Sequence, residues 1–310
     1  MKKFLALILS LAMVFALVAC GGEKTDDSQN NDGDTSSDSP VAITLATGGT
    51  SGTYYAVGGV LKTVLDSKLT LSTLNVESTG ASVANVNMIT DGEAQMAILQ
   101  TNALWVAGIY NETVQILAKP GINTVSDLKG KTVCVGDVGS GTEINAWQVL
   151  GAAGLTKDDV NAVNGSFQDG VDQLKDGKID AAFTVAGAPT TAIVDYATTN
   201  TLNLVSLSDD ELAAIQEAYP FLIRDDLAAD TYTGQDADVT CVAIQATLVA
   251  SEELSEDVVY EFVKAMFDNK DALTKGHAKF GFLDPEAASA GATVTMHPGA
   301  EKYYKEVGVL

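Results

Sequence analysis

One pattern occurs twice in this chain and restricts the fold more than any other feature. An apolar run leads into a turn of glycines and hydroxyls, and the turn leads into a helical pattern. Val41-Ala42-Ile43-Thr44-Leu45-Ala46 enters Thr47-Gly48-Gly49-Thr50-Ser51-Gly52-Thr53, and Tyr54 to Leu65 reads as a helix. Ser140-Gly141-Thr142 precedes Val149-Leu150 at the offset at which Ser51-Gly52-Thr53 precedes Val60-Leu61. A helix start carries backbone N–H groups without intrahelical partners, and its macrodipole favours negative charge there. The two turns are therefore expected to face each other across a cleft. The bland alternative is two ordinary strand-to-helix turns.

The rest of the chain continues the alternation. Strands are expected at 41–47, 71–77, 95–100, 113–118, 132–136, 179–183, 202–206 and 240–249. Helices are expected at 54–65, 82–90, 143–153, 166–175, 190–198, 209–218, 256–267 and 299–306. Such alternation predicts an α/β fold with a largely parallel sheet covered on both faces. Asp91-Gly92 and Asp176-Gly177 end helices in matching places, each ahead of a short apolar strand. Two lobes of similar build would produce this. Gln100-Thr101-Asn102 and Thr184-Val185-Ala186-Gly187 then fall at strand C-terminal ends, where open α/β sheets bind ligands. Thr113 to Lys119 and Cys241 to Ala250 are long enough to cross between lobes and to act as a hinge.

Composition removes several function classes. The chain has 310 residues and a formal net charge of −23, so it has no basic surface for nucleic acid. Arg224 is its one arginine, and His277 and His297 are its two histidines. Gly136-Asp137-Val138-Gly139-Ser140-Gly141-Thr142 has the spacing of a phosphate loop, but Thr142 stands where the lysine is needed. Neither Ser51 nor Ser140 lies in a nucleophile elbow, and no base is near either in sequence. No Cys/His spacing suits a metal. His297, ahead of Pro298, reads as structural or exposed. Glu143 reads as an acid complementing a helix start. No cofactor and no catalysis are expected.

Lys2-Lys3, an apolar stretch from Phe4 to Ala19 and the box Leu17-Val18-Ala19-Cys20 read as a secretory leader with lipid attachment at Cys20. From there to Pro40 the chain is polar and acidic, as in a disordered tether. Cys134 and Cys241 sit in apolar runs; buried thiols are the first reading, and a disulfide is chemically open. What remains for a site is the material of reversible binding: the hydroxyls of Thr50, Ser51, Thr53, Ser140 and Thr142, the amides of Gln100, Asn102 and Asn145, and the rings of Tyr54, Tyr55 and Phe183. With one arginine, a carboxylate ligand would be held by helix ends and hydroxyls.

Together, the leader and the run Ile43-Thr44-Leu45-Ala46-Thr47-Gly48-Gly49-Thr50-Ser51-Gly52-Thr53-Tyr54-Tyr55 resemble the TAXI family of solute receptors, the binding subunits of one class of TRAP transporters. So do Val125 to Lys131, Gly136 to Ala146, Gly151 to Leu155 and His297 to Tyr304. The resemblance implies a two-lobed, periplasmic-binding-protein-like (type II) fold with two crossing strands as the hinge. The implied order is a leader at 1–19, a tether at 20–40, lobe I at 41–115, lobe II at 116–245 and a return to lobe I at 246–310. It implies a monomer, lipid-anchored at the outer face of the bacterial cell membrane. That monomer would pass a small organic anion or amino acid, glutamate-like, to an integral-membrane TRAP permease. The implied ligand residues are Gly49, Thr50, Ser51, Thr53, Tyr54, Gln100, Asn102, Ser140, Gly141, Thr142, Phe183 and Gly187. A binding protein feeding a sensor, or an enzyme on the same fold, is the other reading. One departure stands out: relatives usually have a longer connection where this chain has only Val106 to Glu112 between Trp105 and Thr113.

Overall fold

The structure, a computed structural model, describes residues 39–100, 104–290 and 294–310. The expected leader, Cys20, the tether up to Asp38 and Asn102 lie outside the described residues. The first part of the chain forms β1 (Val41–Ala46), α1 (Thr53–Leu65), β2 (Ser72–Glu77), α2 (Ser82–Thr90), β3 (Met96–Leu99) and β4 (Leu104–Ala118). The middle forms β5 (Thr132–Cys134), α3 (Gly141–Ala152), β6 (Asn161–Val163), α4 (Phe167–Lys175), β7 (Ala181–Ala186), α5 (Thr191–Ala197), α6 (Asp209–Ala218) and β8 (Ile223–Leu227). Then come β9 (Val239–Ala250), α7 (Glu256–Asp268), α8 (Lys270–Gly276), α9 (Pro285–Ala290) and α10 (Pro298–Glu306).

One sheet runs through all of it, in the order β2-β1-β3-β9-β4-β7-β5-β6, with β8 added beside β9. The pairs at the two flanks, β2-β1-β3 and β7-β5-β6, are parallel. The pairs in the middle are antiparallel, because β4 and β9 traverse the sheet in opposite senses. The expected parallel sheet is therefore found only at the flanks.

Two large cores form on this sheet. The first gathers Ile43, Leu61, Ile98, Val106, Leu248 and Phe262. The second gathers Val114, Ile116, Val149, Phe183, Ile215 and Val242. Strand β4 thus begins in one core and ends in the other, and β9 does the reverse. This is the α/β, two-lobed arrangement expected from the sequence. Helix α7 shows what holds a lobe together. Its apolar stripe Val258, Val259, Phe262, Val263 and Met266 is buried, and each such side chain contributes about 1.5–3 kcal/mol. Helix α10 lies close against α7, and Gly299 permits it: a Cβ there would overlap the Glu256 carbonyl oxygen and the Tyr260 N–H.

Several local expectations need correction. The stretch read as a connection before Thr113 is strand: β4 starts at Leu104, and Asn111 and Glu112 pair with Gln245 and Ile244 of β9. Gly108 makes room for the Gln245 side chain, which crosses the strand at that point. Leu202–Ser206 is not a strand; Leu204 makes a single bridge to Leu117. Strand β8 was not expected, because its Arg224-Asp225-Asp226 is polar. Cys134 and Cys241 are both buried and unpaired, which closes the disulfide reading. Buried at 1% exposure, His297 is structural: Nδ1 accepts the Gly299 N–H at 3.2 Å, so Nε2 carries the proton toward the Leu254 carbonyl at 3.2 Å.

Candidate functional site

Four strand ends converge between the two cores. The segments after β1, β3, β5 and β7 supply Gly48 and Gly49, Gln100, Asp137, and the strand's own last residues Val185 and Ala186. They line a cavity whose empty space, open solvent at its mouth included, is about 550 Å³. Both hydroxyl-rich turns reach it, through Ser51 and Thr53 on one side and Ser140 and Thr142 on the other.

The two turns do different work. At the start of α3, Ser140 Oγ accepts the Glu143 N–H at 3.1 Å, and Glu143 Oε2 accepts the Gly139 N–H at 2.7 Å. That helix start is largely satisfied by its own side chains. At the start of α1 the N-cap is Gly52, with no side-chain cap and no acid in the first turn. The N–H groups there are left for another acceptor. Thr53 Oγ1 donates to the Gly187 carbonyl at 3.2 Å, which ties the first turn of α1 to the loop after β7. The Phe167 ring lies against Gly52, and the Gln100 amide passes so close to Gly141 that a Cβ there would overlap it. The two sides of the cavity are in direct contact.

At the back of the cavity stands Glu112, 2% exposed, on β4 midway between the cores. Tyr54 Oη donates to its Oε2 at 2.7 Å, and Gln100 Nε2 donates to the same oxygen at 3.1 Å. Burial pushes the carboxyl up to about 7, and these two bonds pull in the opposite direction. Burial, reinforced by the neighbouring Glu112, holds the Tyr54 and Tyr110 phenols well above their usual range. Asp137, at the mouth of α3, is also raised, by burial and then by Asp169. No lysine, arginine or histidine is among the described residues lining the cavity.

Eight of the expected ligand residues line this space: Gly49, Ser51, Thr53, Tyr54, Gln100, Ser140, Gly141 and Thr142. Three do not. Thr50 is exposed outside it. Phe183 lies deeper on β7, inside the second core, and Val185 and Ala186 reach the cavity in its place. Gly187 borders the site only through its bond from Thr53. Residues that sequence reasoning missed include Glu112, Phe167, Ser82 and Asp137. Glu112 is the one charge between Val106 and Ala118, but Asn111, Thr113 and Gln115 around it leave the stretch without a clear apolar pattern. Ala81, in the cavity wall, has φ 67°, and a non-glycine residue held there costs on the order of 1–3 kcal/mol.

The sequence model of the NMT1-like family matches residues 45–107 and 102–308. The chain belongs to the NMT1-like family. The two matched stretches of that family meet and overlap at residues 102–107, next to the point where the sequence departs from the TAXI pattern. Solved structures similar to this NMT1-like chain include the periplasmic aliphatic sulphonate binding protein SsuA from Escherichia coli, at 14% identity over 86% of this chain and 84% of that one, TM-score 0.43. The alkanesulfonate-binding SsuA from Xanthomonas axonopodis pv. citri, bound to MOPS, is 12% identical over 86% and 84%, TM-score 0.46. An arginine-specific periplasmic binding protein from Salmonella typhimurium is 11% identical over 77% and 98%, TM-score 0.46.

Proposed function

We propose that this protein is an extracytoplasmic solute-binding protein of a membrane transporter, which holds a small carboxylate-bearing ligand between its two lobes. The observation that carries the reading is the cavity itself. It is enclosed by four strand ends, fed by an uncapped helix start and lined by hydroxyls, amides and aromatic rings. These groups are the materials of reversible binding. The lobe boundaries at about residues 115 and 245 belong to this reading, because both fall where β4 and β9 pass between the cores. No helix among the described residues is long and apolar enough to cross a membrane.

The finer reading is a TAXI-type receptor, lipid-anchored through Cys20 and working with a TRAP permease as a monomer. It is supported by the sequence runs that resemble that family, and it makes glutamate and related acids the first ligands to try. A thermal-shift screen of amino and organic acids tests the receptor reading. A ligand at 100 times its dissociation constant should add about 2.7 kcal/mol to stability. No shift with any small molecule, together with turnover of some substrate, would replace it with the enzyme reading. Replacing both Ser51 and Thr142, as Ser51→Ala with Thr142→Val, should weaken binding in calorimetry and leave the melting temperature of the free protein nearly unchanged.

A further inference from the structure

The cavity also says something about the charge of its ligand, and this step rests on the receptor reading above. Its rear wall is an acid. Both donors that reach Glu112, the Tyr54 hydroxyl and the Gln100 amide, bond Oε2. Oε1 receives no hydrogen bond from the described residues, and Glu112 lines the cavity. Among the described residues lining the cavity no cation compensates the carboxylate; Lys279 lies outside that lining, against Gly187. The lining has no lysine, arginine or histidine, and Asp137 adds a second acid at the mouth of α3. The residues at 101–103 are Thr, Asn and Ala, so they add no cation either. A buried carboxylate with no cationic partner is costly unless it takes up a proton or something positive arrives to meet it.

The same cavity is lined by the uncapped start of α1, a helix of 13 residues, with its N–H groups available to an anion. Tyr54 lies in the first turn of that helix, and its hydroxyl touches Glu112. A single side chain therefore spans from the anion-favouring wall to the cation-favouring one. We propose that the ligand is a zwitterion with no net negative charge, a neutral amino acid, with its ammonium on Glu112 Oε1 and its carboxylate at the start of α1. A second carboxylate would meet Glu112 or Asp137 with no cation of the described lining to neutralise it, so acidic amino acids and dicarboxylates are selected against, which departs from the glutamate-like ligand of the TAXI reading. Glu112 is then the residue that sets specificity, and the apolar wall of Phe167 and Val185 takes the side chain.

The test is calorimetry at pH 7.5 with the twenty common amino acids, each beside the carboxylic acid made by removing its amino group. The wild-type protein is expected to bind a neutral amino acid at least ten times tighter than its deaminated partner and than glutamate or aspartate. Glu112→Gln should lose about 30-fold or more on that amino acid, as when one partner of a buried charge pair is removed. It should also lose the preference over the deaminated acid, because the new amide can donate to a carboxylate. The wild-type comparison stands even if the variant fails to fold. Equal or tighter binding of deaminated acids, glutamate or dicarboxylates overturns the proposal and leaves the receptor reading in place. Binding of a sulfonate or sugar but of no amino acid does the same. Silence from every small molecule overturns both.

Discussion

At the scale of single residues, Glu112 carries the most consequence. Its carboxyl is raised to about 7 in the fold, against an ordinary value of 4.5. The folded state therefore holds its proton more tightly than the unfolded chain does. Stability from this group is fully present below about pH 4.5 and is lost as pH rises through about 7. At 1.36 kcal/mol per pH unit the swing is about 3 kcal/mol. Glu112→Gln removes it. The stability of the variant relative to wild type should shift in the variant's favour by about 3 kcal/mol between pH 4.5 and 7.5, measured by urea unfolding at each pH. A flat difference would mean that the carboxyl is solvated in solution. This residue was illegible in the sequence for a physical reason. Gly108 and Asn111 break the apolar pattern of β4, so the stretch reads as a connection, and an acid in a connection is assumed to face water. Only the pairing with β9 shows that Glu112 is enclosed. The Ser51–Tyr54 and Ser140–Thr142 turns were legible, because the chemistry of a helix start is local to it.

Helices with good caps were the elements whose limits could be read closely. Helix α6 starts after Ser208, whose side chain accepts the Glu211 N–H while Glu211 reaches back to Ser208. Helix α4 has the same reciprocal arrangement between Ser166 and Asp169. Ser166→Ala should cost about 0.5–2 kcal/mol in chemical unfolding. Ser166 also lies on the cavity wall, so a loss of affinity larger than the loss of stability would mark a ligand contact in addition to the cap. Two strands, β6 and β8, were not readable. β6 has three residues, and β8 is held by β9 rather than by any apolar alternation of its own. Tertiary pairing overrides local propensity at both. The α7–α10 contact makes a sharper forecast. Gly299→Ala has no room, because the obstruction is backbone rather than a side chain that can turn away. Overpacking of this kind costs about 1–3 kcal/mol, visible as a lower melting temperature with little change in ligand affinity.

For the whole molecule, the shared sheet decides how the two lobes respond together. Strands β4 and β9 lie at its centre and contribute to both cores, whereas β2 and β6 are at its edges. Amide hydrogen exchange should be slowest at Val114–Leu117 and Ala246–Val249 and faster at β2 and β6. Equal protection from edge to centre would argue against the central pair as the common spine. The topology also sets an order of events as the chain emerges N-terminus first from the ribosome. The second core draws on one contiguous stretch, from the end of β4 to the start of β9, and can close as soon as Val242 is made. The first core needs Ile43 and Leu61 together with Leu248, Phe262 and Tyr304. The earliest synthesised segments of this protein must therefore wait, with their apolar faces open, for nearly the last residues synthesised. A chaperone that guards nascent chains would find its binding sites in β1 and α1, rather than in the middle of the sequence, which folds first.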